Sequence, residues 1–221
     1  MMNGLARSLR EASFRAGRVL GICLLMSVGF VIYFTLLSGE AFTMQNLFYR
    51  MTEVMIFVGC MMFMIYGMVD FATYTQVSLS YGSTRKHALV SLIYMDLLQV
   101  AGMTFLVWLV AVLIPAQWQP LSARGAIGLA LNVFLIACAV SLINGMLVYR
   151  FGKGAYVLFV IVTTAFSGCI MGMSDYLAQM DFVGMIVSGG DLAVLGMVGI
   201  ILFVIAAVVC GVFMRKIEVR V

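Results

Sequence analysis

Six apolar stretches dominate this chain, each long enough to cross about 30 Å of hydrocarbon as a helix of roughly 20 residues. They run over approximately 19–38, 54–73, 89–115, 126–149, 155–173 and 192–214. Between them lie short segments that hold nearly all the charge. A helix is the element that satisfies its own backbone in lipid, so the pattern predicts an all-α polytopic membrane protein. Composition agrees: 64% of the residues are hydrophobic, 10% are charged and the mean hydropathy is +1.14. A soluble domain carries about 25% charged residues to solvate its surface. Disorder is excluded by the same apolar content.

Charge placement orients the spans. One set of ends holds Arg7, Arg10, Arg15, Arg18, Arg85, Lys86, Arg150, Lys153, Arg215, Lys216 and Arg220, whereas the other holds only Arg50 and Arg124. The second set also collects Glu40, Glu53, Asp175, Asp181 and Asp191. The positive-inside rule then predicts both termini in the cytosol. The basic residues flank apolar segments and form no stripe, which argues against a nucleic-acid partner despite a pI near 8.9. The first span reads as a retained anchor, because its apolar run fills a membrane and no Ala-x-Ala site follows.

The loops carry the more specific signals. In residues 1–18, Leu5, Leu9, Ala12, Ala16 and Val19 recur on one side and Arg7, Arg10, Glu11 and Arg18 on the other, with Phe14 out of place. That pattern predicts an amphipathic helix on the membrane surface, facing anionic lipid headgroups. Residues 74–88 form the longest cytosolic loop, where Val77, Leu79 and Tyr81 alternate with Gln76, Ser78 and Ser80. Gly82 suits the end of a short helix and Ser83 the N-cap of the third span. A rigid cytosolic knob is expected there. The outside loop 174–191 is too apolar to be solvated and reads as a re-entrant hairpin, with Gly189 and Gly190 at its turn.

Polar groups inside the spans are costly and tend to face protein or water. Asp96 and Gln99 share a face at i, i+3 and are pathway candidates, Asp96 as part of a path or a proton-sensitive gate, with pairing to a neighbouring span or a protonated, hydrogen-bonded carboxyl as the structural alternative. Asn132, Ser141 and Asn144 on the fourth span and Thr163, Thr164 and Ser167 on the fifth are pathway candidates, with interhelical hydrogen bonding as the alternative role. Asp70, at a helix C-terminus that disfavours an anion, needs a cation, and Arg85 is the nearest in sequence. Gly17 with Gly21 and Gly168 with Gly172 have GxxxG spacing, read here as close packing. Cys23, Cys60, Cys138, Cys169 and Cys210 all fall in apolar runs, so packing thiols are expected and a metal site is not. Trp108, Trp118, Tyr149 and Tyr156 suit an aromatic belt.

The segment Leu79–His87 contains Gly82-Ser83-Thr84-Arg85-Lys86. It resembles the first cytosolic loop of six-helix ABC-2-type permease subunits of Gram-positive bacteria, where a G-x-T-R-K/R turn leads from a coupling helix into the third span. The resemblance covers the whole chain in layout and this short motif in letters. It implies that Val77, Ser78, Leu79, Ser80, Tyr81 and Gly82, with Ser83, Thr84 and Arg85 at the turn, engage a separate ATP-binding subunit. It further implies that residues 1–18 are a connecting helix, that the permease works as a homodimer or heterodimer, and that the cargo is a peptide, drug or lipid-like molecule. No G-x-x-x-x-G-K-[ST] loop occurs, so ATP and Mg would be held by the partner, and this chain is expected to be no enzyme. HExxH and GxSxG are also missing from the sequence, and its one histidine is His87. The location implied is a bacterial cell membrane. Two rival functions remain: a proton-coupled secondary transporter using Asp96, and a non-transporting immunity or scaffold protein.

Overall fold

A computed structural model describes residues 4–37, 43–80, 84–113, 123–152, 154–155, 157 and 191–216. Among these residues every regular element is a helix: α1 Gly4–Leu37, α2 Met44–Ser80, α3 Arg85–Leu113, α4 Ala123–Phe151 and α5 Asp191–Lys216. All five are long and apolar enough to cross a membrane. They correspond to the expected first, second, third, fourth and sixth spans. The fifth, 155–173, and most of the 174–191 hairpin lie outside the described residues, as do Tyr81, Gly82, Ser83, Thr163, Thr164, Ser167, Cys169 and the Gly168–Gly172 pair.

Side-chain contacts give the helix directions. Leu20 of α1 meets Gly102 of α3, and Ser13 meets Tyr94, so α1 and α3 run parallel. Ser8 meets Tyr74 and Arg15 meets Asp70, so α1 and α2 are antiparallel. Gly59, Gly67 and Phe71 of α2 face Phe134, Ser141 and Gly145 of α4 in that order, a parallel pair. Asn132 faces Gly199 and Leu142 faces Cys210, so α4 and α5 are parallel too. Consequently α4 finishes at one end of the bundle and α5 begins at the other.

The α2–α4 seam is the tightest part of the core. The Phe63 and Phe134 rings meet edge-on with centroids 5.2 Å apart, a geometry favoured by the ring quadrupoles. Opposite Phe134 the backbone of Gly59 leaves space that a Cβ would invade, at 2.6 Å from the Phe134 ring. Gly145 likewise admits the Cβ of Phe71, and Gly67 the hydroxyl of Ser141. Small residues let membrane helices approach closely, which is how they gain van der Waals contact where no hydrophobic drive separates protein from lipid. Elsewhere outward faces are apolar and exposed, as on α1, where Leu25 is 72% and Leu36 65% exposed. A lipid environment suits such surfaces.

Two helices run on where the sequence suggests a break. The surface helix expected at 1–18 and the span expected at 19–38 are one uninterrupted α1 of 34 residues, about 50 Å at 1.5 Å per residue. No proline interrupts that stretch, and one small-residue face, Ser8, Ala12, Ala16, Val19 and Cys23, stays buried along it. The apolar side of the leader therefore packs on α2 and α3 instead of on lipid. Similarly, α2 continues through Val77 to Ser80, so these residues extend the second span rather than forming a separate short helix.

Helix ends show their chemistry in two places. Thr84, not Ser83, caps α3: its Oγ1 accepts from the His87 backbone N–H at 3.3 Å, and its carbonyl accepts from Ala88 N–H at 3.0 Å. At the end of α4, Gly152 takes φ +70 and donates its N–H to Val148 O at 2.8 Å. That left-handed conformation is cheap only for glycine, and the bond satisfies a carbonyl the helix leaves open.

Candidate functional site: a polar node under the α2–α3 turn

The end of the bundle where α2 passes into α3 carries the densest polar network among the described residues. Arg15 of α1 is its centre. Its guanidinium donates to Asp70 Oδ1 of α2 at 3.3 Å and to Glu11 Oε1, one turn back on α1, at 3.3 Å. The same group lies over the Tyr74 ring, 5.0 Å from the centroid. A planar guanidinium can serve two carboxylates and an aromatic face at once, which an ammonium does poorly. Tyr74 in turn donates its hydroxyl to Ser8 O of α1 at 2.8 Å, and Ser91 of α3 is its side-chain neighbour. A hydroxyl-to-hydroxyl approach of 3.4 Å between Ser13 and Tyr94 adds a contact between α1 and α3.

Three helices are thus tied together within about three turns of Ser80. The Arg15 side chain is 29% exposed and that of Asp70 11%, so the pair is screened less than a surface ion pair. Arg85 is not the partner of Asp70. Although Arg85 is nearer in sequence, it begins α3 beyond the turn, whereas Arg15 sits at the level of Asp70 because α1 runs antiparallel to α2. That long-range pairing leaves no local signature in the sequence. The Arg15-to-Glu11 spacing at i, i+4 was the available hint, since it places an acid and a base together on α1.

The other expected site residues divide as follows. Val77, Ser78, Leu79 and Ser80 form the last turn of α2, and Thr84 and Arg85 begin the next helix. Only four residues separate Ser80 from Arg85, so the two helices make a tight hairpin. Asp96 and Gln99 both lie on the buried face of α3, at 2% and 1% exposure, and Asp96 Oδ2 and Gln99 Nε2 have no hydrogen-bond partner among the described residues. Asn132 is buried on α4. Its Nδ2 donates back to Gly128 O at 3.3 Å, and its Oδ1 faces Gly199 of α5. Ser141 donates to Cys138 O on its own helix at 2.8 Å, and Asn144 is half-buried on α4. Among the described polar side chains of α4, Ser141 thus bonds within its own helix, whereas the buried Asn132 Oδ1 has no hydrogen-bond partner among the described residues.

Cys23, Cys138 and Cys210 are buried free thiols and Cys60 is a half-buried one; Cys210 lies 3.6 Å from Leu142 O, joining α5 to α4. Trp108 is 40% exposed on α3, while Tyr149 turns inward to meet the Phe71 ring edge-on at 6.4 Å. No protein-family model, curated protein or solved structure matches this chain.

Proposed function

We propose that this chain is the membrane-spanning permease half of an ATP-driven transporter in a bacterial cell membrane, gripped by a separate ATPase subunit at the α2–α3 hairpin. The observation that carries the reading is the hairpin's construction: α2 runs unbroken to Ser80 and α3 restarts at Arg85 behind a Thr84 cap. A push on its tip is delivered along two helices that each extend the length of the bundle. Such a lever works only as a rigid body, and the Arg15–Asp70–Tyr74 node stiffens it by tying it to α1. The parallel course of α4 and α5 supports a further crossing between them, which six spans with both termini in the cytosol require. The permease acts as a dimer of such halves, and its cargo class is a peptide, drug or lipid-like molecule.

Charge introduced at the hairpin tip tests the grip. Tyr81→Asp should abolish co-purification of a nucleotide-binding subunit from gentle detergent while leaving the permease folded. Undiminished co-purification overturns the proposal.

One observation favours a second reading, in which transport is driven by protons through Asp96. The carboxyl is buried on the inner face of α3 with Oδ2 unpartnered among the described residues, a costly state for an ionisable group that serves no use. That reading predicts transport into vesicles containing no ATPase and its loss in Asp96→Asn.

A further inference from the structure

The outward face of α1 changes character along its length. Arg10, Phe14, Gly17, Arg18, Gly21 and Leu25 follow one another at intervals of three and four residues or flank that line, so they share one side of the helix. All are exposed, Phe14 at 62% and Leu25 at 72%. The Arg18 guanidinium reaches back toward the N-terminus and lies over the Phe14 ring, 4.5 Å from its centroid. Beyond this pair, Gly17 and Gly21 present bare backbone: a Cβ on either would meet nothing within 4 Å among the described residues. Glu11, the acid of α1, is engaged by Arg15 on the inner side.

Depth can be assigned from helix length. Counting back about 30 Å of hydrocarbon from Leu37, at 1.5 Å per residue, ends close to Arg18. Arg18 and Phe14 therefore stand at the headgroup level, with Arg10 below them in the aqueous layer. An aromatic ring and a snorkelling arginine are the side chains suited to that level.

We propose that this face of α1 is a binding site for an anionic phospholipid of the inner leaflet. Arg18, held in place by Phe14, contacts the phosphate, Arg10 deepens the positive field beneath it, and an acyl chain lies along the smooth strip at Gly17 and Gly21. Charge decides the occupant. The same glycine strip has the spacing of a helix-dimer seam, but a second α1 seated there in parallel would bring Arg10 and Arg18 against their own copies. A lipid phosphate meets those charges with the opposite sign. The site depends on the chain being membrane-embedded and is independent of any ATPase partner.

Native mass spectrometry of the purified full-length protein, supplied with equal amounts of phosphatidylglycerol and phosphatidylcholine, tests this. The expected result is preferential retention of phosphatidylglycerol, reduced at least fivefold in R10Q/R18Q. G21L should reduce retention with both arginines still present. Equal retention of the two lipids by the wild type overturns the proposal, as does an undiminished preference in R10Q/R18Q, which would put the lipid elsewhere. Formation of a disulfide-linked dimer by G21C in native membranes would assign the face to a second copy and likewise overturn it.

Discussion

Glycines at helical spacing do opposite things in α2–α4 and in α1. In the α2–α4 seam Gly59, Gly67 and Gly145 are sockets, each filled by a side chain of the facing helix. In α1, a Cβ at Gly17, Gly21 or Gly29 would meet nothing within 4 Å among the described residues. The seam is therefore held by shape along its length, whereas α1 is fastened by a buried small-residue face and by polar bonds concentrated near one end. Shape-held contacts resist any added atom, and polar contacts fail when one partner is removed. The difference predicts a graded set of responses.

Substitution in the seam should be the most damaging. Gly145→Leu drives a side chain into Phe71 close to its backbone, with Met68 O 3.3 Å away, so relief requires moving a helix. Overpacking of this kind costs about 1–3 kcal/mol, or more where the backbone itself must shift. A large fall in monodisperse yield and in thermal midpoint is expected in detergent. Next comes the node: Arg15→Ala leaves Asp70, with a side chain only 11% exposed, without its cation. The expected loss is about 1–3 kcal/mol, below the figure for a fully buried pair because Arg15 still reaches solvent. The exchange Arg15→Asp with Asp70→Arg should recover part of it. Tyr74→Phe removes the hydroxyl that donates to Ser8 O and neighbours Ser91, and should cost about 1–2 kcal/mol. Gly21→Leu, on the open face, should change stability by no more than about 0.5 kcal/mol. If Gly21→Leu proves as harmful as Gly145→Leu, the contrast between the two regions is wrong.

Much of the architecture was legible because lipid imposes a length and a composition on each element. The cores of five described helices fall where their apolar runs do, and the inward face of the leader, Ala12, Ala16 and Val19, is the one its periodicity selects. Periodicity identifies the face of a helix but not what covers it, so the expected lipid contact proved to be α2 and α3. Boundaries were misread where nothing in the sequence compels a stop, as between Arg18 and Val19 and between Tyr74 and Val77. The cap on α3 fell one residue late because Ser83 and Thr84 are both capping residues. Gly152 could have been found: a glycine directly after a long apolar run and before Lys153 is the usual signal of a left-handed helix end. The partner of Asp70 could not, since it depends on α1 folding back 55 residues away. Phe14, anomalous on a wheel with one apolar side, fits once that side is turned to protein and the arginine side to the lipid interface.

The central claim is that the ends of α1 and α2 nearest the hairpin move as one braced body. Double electron–electron resonance between spin labels at Ala6→Cys and Thr73→Cys, both exposed positions, measures this directly in a background free of other cysteines. A single narrow distance distribution that broadens in Arg15→Ala is the predicted result. A broad distribution in the otherwise unaltered protein, indifferent to Arg15, would contradict it.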